Sequence, residues 1–133
     1  MSLRRTLAAS GALVLGGVLL LATPAHAAPS ACSSGLGCTY EDANYGKGHI
    51  NFSYNVRDYA AVGWWVPTNH LMTNDAASSA FNNGTTGQRI SLYENAGYRG
   101  RAISVSRGQG IPNLGSASLN DRVSSACFDS YCK

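Results

Sequence analysis

Charged residues are scarce in this sequence of 133 residues, of which 13% are Asp, Glu, Lys or Arg. The ten basic and seven acidic residues give a net charge of +3. Removing Arg4 and Arg5, which lie in an expected leader, leaves about +1 (8 − 7). No basic stripe of the kind that nucleic acid or an anionic membrane requires can be built from so few cations. We therefore expect neither partner.

The sequence also lacks the residue patterns of common enzymes. It contains no Gly-x-Ser-x-Gly elbow, no His-Glu-x-x-His pair and no phosphate-binding loop. Its cysteines are expected to be oxidised, so none can act as a nucleophile. A catalytic alternative is a carboxylate pair in a cleft, Asp58 with Asp42 or Asp129. We expect a protein that is not an enzyme.

Helical periodicity is absent, whereas Gly, Asn and Ser interrupt the chain every few residues. This pattern is typical of many short strands joined by turns, and it predicts an all-β fold. We expect strands over residues 38–40, 49–52, 78–81, 90–93, 101–105 and 123–128. The polar segment 82–87 is the expected linker between two halves.

The N-terminus predicts export. A positive start is followed by an apolar run over residues 7–22, and residues 25–27 read Ala-His-Ala, the small-x-small pattern of signal peptidase sites. We therefore expect a signal peptide over residues 1–27 and a secreted, extracellular domain over residues 28–133. A permanent membrane anchor is disfavoured because the apolar run is short.

Four cysteines follow the leader, an even number that predicts two disulfides in an exported chain. Three pairings are possible, and we favour the two local pairs over a pairing that ties the termini together. Zinc is disfavoured because neither close pair has finger spacing, and His49 and His70 lie far from both. The disulfide residues are Cys32, Cys38, Cys127 and Cys132.

A six-residue pattern occurs twice. Residues 74–79 read Asn-Asp-Ala-Ala-Ser-Ser and residues 120–125 read Asn-Asp-Arg-Val-Ser-Ser. Each pattern follows a tyrosine-rich hairpin signal, over residues 40–45 and 93–98. The hairpins are 53 residues apart (93 − 40) and the loops 46 (120 − 74), so the first copy carries a seven-residue insertion. The duplication predicts a domain with internal two-fold symmetry.

These loops carry the oxygens that a hard cation prefers. A tight Asn-Asp turn gathers a carboxylate, a hydroxyl and backbone carbonyls, and calcium accepts about six to eight such oxygens in flexible geometry. Glu41 and Glu94, at matching places in the hairpins, could complete the shell. With two-fold symmetry, each loop would meet the hairpin of the other copy. The alternative is that the loops are well-capped turns that bind nothing.

The pattern Tyr93-x4-Tyr98-x-Gly100, followed by residues 120–125, resembles the βγ-crystallin Greek key motif. The resemblance covers about residues 38–128 and implies a two-sheet sandwich of two Greek keys, over about 38–82 and 88–128, with two calcium sites. In the first hairpin, Lys47 occupies the position that Gly100 has in the second. We therefore expect the first hairpin to be shifted by one residue. The implied ligands are the hydroxyls of Ser78 and Ser124, the carbonyls of Ala76 and Arg122, and groups of Asp75, Asp121, Glu41 and Glu94.

The segment from Cys32 to Tyr40 is similar to the start of exported bacterial metalloproteinase inhibitors of crystallin-like fold, with Gly35 displaced by one position. This likeness implies an extracellular protease as partner, contacted through a disulfide-closed loop such as residues 127–132. For that loop, however, we favour a disulfide clip on the last strand over an inhibitory role. A third hypothesis is an antimicrobial or cell-wall glycan-binding protein using Trp64 and Trp65, although core packing suits both better. We expect a monomer.

Overall fold

The structure is a computed structural model that describes residues 27–63, 65–69, 72–129 and 132–133. The expected signal peptide, apart from Ala27, lies outside the described residues, as do Trp64, His70, Ser130 and Tyr131. In the described ranges, no helix is long and apolar enough to cross a membrane.

The described part of the chain contains seven strands and no α-helix, so the predicted all-β fold is confirmed. Three short 3-10 helices, at Ala43–Tyr45, Tyr59–Ala61 and Leu114–Ala117, lie in the connections. The strands are β1 (Leu36–Asp42), β2 (Gly46–Phe52), β3 (Ser79–Asn83), β4 (Ile90–Asn95), β5 (Arg99–Val105), β6 (Gly110–Ile111) and β7 (Ser125–Phe128).

The prediction missed β6, because a strand of two residues, Gly110 and Ile111, has no periodicity to detect. It was also wrong to begin the linker at Asn82, which belongs to β3 and is fully buried. The Asn82 amide donates to the carbonyls of Val105 and Gln88, at 2.9 and 3.0 Å. A buried asparagine is stable only with such partners, and no local pattern announces them.

The strands form two antiparallel sheets with the orders β2-β1-β3-β6 and β5-β4-β7. Each copy contributes to the sheet that is formed mainly by the other copy. In one direction β6, from the second copy, pairs with β3, with Ala80 opposite Ile111. In the other, Val56 from the first copy makes a bridge with Ala126 of β7. Each sheet therefore needs both copies, and neither half is complete alone.

The two tyrosine hairpins have the same register. Tyr40 lies opposite His49 in the first and Tyr93 opposite Ala102 in the second, a separation of nine residues in both (49 − 40 and 102 − 93). The expected one-residue shift is therefore wrong. Lys47 adopts a φ of 55° at the place where Gly100 has 80°, so the lysine itself accepts a left-handed conformation that usually favours glycine.

The last serine of each repeated pattern fastens its hairpin. Ser79 donates its hydroxyl to the Asp42 carbonyl at 2.7 Å and accepts the Tyr45 N–H at 3.0 Å. Ser125 makes the same two bonds, with the same distances, in the second hairpin. These hydroxyls satisfy backbone groups that the turn leaves without a strand partner. The repeated serine therefore has a structural role.

A hydrophobic core lies between the two sheets and contains side chains from both copies. Trp65, from the inserted segment of the first copy, is only 1% exposed and belongs to this core. Its burial confirms the expectation of core packing for this tryptophan. Other large, fully buried members are Tyr59, Phe52, Ile90, Leu92, Leu114, Leu119 and Val123.

A smaller cluster covers the outer face of the first sheet, where Tyr40 and Phe81 pack against the Cys32–Cys38 disulfide. The Tyr40 hydroxyl is buried there and has no hydrogen-bond partner among the described residues. Burial, with a smaller contribution from Tyr45, raises the pKa of Tyr40 to about 12.

The disulfides are the two local pairs, as favoured from the sequence. Cys32 pairs with Cys38 and Cys127 with Cys132, with Cα atoms 5.9 and 5.5 Å apart. Both separations are typical of disulfides. Because each bridge closes a loop of a few residues, it removes less entropy from the unfolded chain than a bridge between the termini would.

The serine ties give a first prediction. Ser125→Ala should destabilise the protein by about 0.5–1.5 kcal/mol, because the Asn95 carbonyl and the Tyr98 N–H lose their partner at a partly buried position. Ser106→Ala, at an exposed position on the turn after β5, should change stability by less than about 0.5 kcal/mol. Urea denaturation of both variants measures the difference. Equal effects would contradict this role of Ser125.

Candidate functional site

The two repeated loops are joined by a reciprocal pair of backbone hydrogen bonds. The Asp75 N–H donates to the Val123 carbonyl at 3.1 Å, and the Asp121 N–H donates to the Ala77 carbonyl at 3.0 Å. The residues exchange roles under the 46-residue offset of the loops, since 75 + 46 = 121 and 77 + 46 = 123. The loops therefore lie side by side, related by approximate two-fold symmetry.

Each loop holds its aspartate in the same unusual conformation. Asp75 and Asp121 have φ values of 53° and 52°, in the left-handed region that Asp and Asn tolerate better than most residues. The preceding Asn74 and Asn120 donate side-chain N–H groups to these carboxylates at 2.9 and 2.7 Å. The Asn-Asp pair of the pattern thus sets the direction of the carboxylate.

The carboxylates then reach across the symmetry axis. The Ser124 hydroxyl donates to Oδ1 of Asp75 at 2.7 Å, and the Ser78 hydroxyl lies 3.5 Å from Oδ1 of Asp121. The expectation that each loop meets the hairpin of the other copy is wrong for the serines. Each serine stays beside its own hairpin, because the Ser78 N–H donates to the Tyr40 carbonyl at 2.8 Å and the Ser124 N–H to the Tyr93 carbonyl at 2.9 Å. Each candidate site therefore combines an aspartate of one copy with a serine of the other.

An open cavity of about 380 Å³ lies where the Ser124 hydroxyl meets the Asp75 carboxylate. Three carboxylates and one guanidinium give it a formal charge of −2 (−3 + 1). Sequence reasoning missed Asn95, which follows Glu94 at the end of β4. The cavity is lined by Asp75, Glu94, Asn95, Asp121, Arg122 and Ser124.

Glu94 is held by two contacts in this cavity. Its Oε1 pairs with Nη1 of Arg122 at 2.9 Å, and its Oε2 accepts the Arg101 N–H at 3.4 Å. The Arg122 hydrogen bond, with that Arg101 N–H as the next cause, holds the pKa of Glu94 below its usual range. The carboxylate is therefore charged at neutral pH, and a cation is already beside it.

Glu41 has the matching position in the first hairpin. Its Oε2 accepts the Gly48 N–H at 3.3 Å, as Glu94 accepts that of Arg101, and also the Thr68 hydroxyl at 3.2 Å. Ala76, the counterpart of Arg122, is partly buried against the core. Its side chain offers no ligand, so only its carbonyl could serve.

The available donors suit calcium better than a transition metal. They are carboxylate, hydroxyl and amide oxygens, which hard cations prefer, and no cysteine or histidine lines the cavity. Among the described residues, no three His, Cys, Asp or Glu side chains converge as a ready-made metal cluster. A cation held here would need backbone carbonyls and water to complete its shell.

The structure describes only part of the C-terminal disulfide loop, for which we favoured a clip on the last strand over an inhibitory role. Its first half belongs to the second sheet: Cys127 is fully buried, and the Phe128 N–H donates to the Asn55 side chain at 3.0 Å. Asp129 pairs with Arg89 at 3.5 Å. These contacts fit a clip on the last strand. Ser130 and Tyr131 lie outside the described residues.

Comparisons with known proteins agree with this architecture. The sequence model described as peptidase inhibitor family I36 matches residues 25–105. A search of curated proteins found no match to the chain. Among solved structures, a βγ-crystallin domain described in terms of the evolution of the eye-lens fold aligns with a TM-score of 0.61 and 20% identity, over 76% of this chain and 92% of its own.

Two further solved structures show the same likeness. A βγ-crystallin from Ciona intestinalis aligns with a TM-score of 0.55 and 21% identity, over 71% of this chain and 99% of its own. A βγ-crystallin from an archaeon aligns with a TM-score of 0.51 and 20% identity, over 72% of this chain and 99% of its own. The resemblance drawn from the tyrosine hairpins and loops is thereby confirmed for the fold. Such low identities carry no function.

The aspartate geometry gives a second prediction. With a chelator present, Asp121→Ala should destabilise the protein by about 1 kcal/mol, because alanine tolerates the left-handed conformation poorly and the Ser78 hydroxyl loses its acceptor. Asp121→Asn should cost less, since asparagine tolerates the conformation and keeps an oxygen. Denaturation midpoints compare the two. A larger loss in the asparagine variant would refute the account.

Proposed function

This chain belongs to peptidase inhibitor family I36 and folds as a βγ-crystallin domain, and we propose that it acts outside the cell as a calcium-binding protein of that family. The family is one of inhibitors and not of enzymes, in agreement with the absence of catalytic patterns in the sequence. The two disulfides of this chain support a location in an oxidising compartment, such as the outside of the cell.

The observation that carries the calcium proposal is the contact between Ser124 and Asp75 across the symmetry axis, repeated more loosely by Ser78 and Asp121. A carboxylate and a hydroxyl from different copies meet at two equivalent places. A well-capped turn would need neither contact, because the Asn-Asp and backbone bonds already hold each loop.

The proposed ligand sets follow from these contacts. Asp75, Ser124 and Glu94 would hold one ion, and the other would be held by Asp121, Ser78 and Glu41, with carbonyls at Ala76 and Arg122 as further donors. Calcium would neutralise carboxylates that repel one another and would bridge the two copies. An ion that binds only the folded state stabilises it, by about 2.7 kcal/mol at a concentration 100 times its Kd.

Peptidase inhibition is the second candidate, and the family match over residues 25–105 favours it. We propose an extracellular metalloprotease as the partner, as the likeness of the segment from Cys32 to Tyr40 implies. Both functions can coexist, because calcium would stabilise the scaffold while a separate surface contacts the protease. The glycan-binding hypothesis is weakened, because the buried ring of Trp65 cannot stack against a sugar.

Calcium titration gives the third prediction. Isothermal titration of the purified protein should show saturable heat with a raised melting temperature, and amide shifts should concentrate at residues 74–79 and 120–125. Ser78→Arg and Ser124→Arg should each remove one site, because a guanidinium replaces a ligand hydroxyl. Ser106→Arg adds the same charge on an exposed turn and should leave both sites. A flat titration of the wild type would overturn the proposal.

Protease inhibition gives the fourth prediction. Residual activity of a thermolysin-like metalloprotease should fall as the protein approaches equimolar amounts at micromolar concentration. A sample with both disulfides reduced and alkylated should inhibit less, since the end clips are then open. Full protease activity at equimolar protein would count against inhibition, and it would leave the calcium proposal intact.

A further inference from the structure

We propose that Arg122 is a built-in competitor of the cation at the Glu94 site and lowers the calcium affinity of that site. The inference rests on the proposed calcium function and concerns the part of this chain that departs from internal symmetry. The first loop has Ala76 at the matching place, so the guanidinium enters one site and has no counterpart from the first loop.

The contact itself carries the proposal. The Arg122 guanidinium lies 2.9 Å from Oε1 of Glu94 and lines the cavity that also contains Asp75 and Ser124. It thus occupies a carboxylate oxygen that calcium would need. It also reduces the charge of the cavity from −3 to −2. Calcium affinity depends on the number of charged ligands, so both effects weaken binding.

Calcium could displace the Arg122 guanidinium from Glu94, because the ion pair between them is weak. The exposed fractions of the Arg122 and Glu94 side chains are 61% and 28%, and exposed ion pairs contribute little to stability. Calcium can therefore take the Glu94 oxygen at a moderate loss of affinity. In water, a unit charge about 6 Å from a divalent ion weakens its binding by about tenfold, and salt reduces this factor.

Three variants separate this role from a general charge effect. Arg122→Ala removes the guanidinium and keeps the backbone carbonyl that the family resemblance implies as a ligand. Arg122→Lys keeps the positive charge. Arg107→Ala removes one positive charge from an exposed turn outside the cavity. Amide spectra and denaturation in chelator show beforehand that each variant is folded.

The test is a calcium titration of the whole protein followed by amide shifts, read at Asp75 and Ser124 for one site and at Asp121 and Ser78 for the other. Arg122→Ala should bind calcium about three- to tenfold more tightly at the first pair and nearly unchanged at the second. Arg122→Lys should resemble the wild type at both, as should Arg107→Ala.

The outcomes are distinguishable. If the wild type binds and Arg122→Ala binds equally or more weakly at Asp75 and Ser124, the inference is wrong and the calcium function stands. If Arg107→Ala tightens binding as much, the effect is general and the inference is again wrong. If neither the wild type nor any variant gives saturable shifts, both proposals fall. Binding at that site in Arg122→Ala alone would support the competitor role most directly.

Discussion

The reciprocal backbone bonds between the two loops are the constraint on which the remaining structure depends. The Asp75 N–H donates to Val123 and the Asp121 N–H to Ala77, so each loop supplies a backbone acceptor that the other loop uses. The pairing of β6 with β3 and the bridge from Val56 to Ala126 of β7 also join the two copies. Two copies of a short module thus form one core, and the candidate sites lie where the copies meet.

The two-fold symmetry is kept in the hairpins and the loops, and it is lost in the inserted segment and at single side chains. Both hairpins have one register, both final serines make the same two bonds, and both aspartates adopt nearly equal φ values. Lys47 even takes the left-handed conformation of Gly100. The insertion supplies Trp65 to the core. The second loop has Arg122, beside the Glu94 carboxylate, at the position where the first loop has Ala76. These differences leave the hairpin register and the loop conformation the same in both copies.

Much of the fold could be predicted because its signals are local. Six strands, the local disulfides and the duplicated loops all depend on residues close in sequence, such as the five residues between Cys32 and Cys38. Asn82 and β6 could not be predicted in this way. Asn82 is buried because Val105 and Gln88 accept its amide protons, and β6 exists because β3 offers an edge. Both depend on partners distant in sequence.

The candidate site likewise has features that are visible in the sequence and features that depend on tertiary packing. The sequence by itself determined which oxygens are present and that they occur twice, since the Asn-Asp-x-x-Ser-Ser pattern and the tyrosine hairpins are properties of short segments. Only the tertiary structure decided that Ser124 meets Asp75 of the other copy, that Asn95 joins the cavity and that Arg122 pairs with Glu94. These contacts arise from the packing of two copies about an axis, and such packing brings together residues that no local pattern connects.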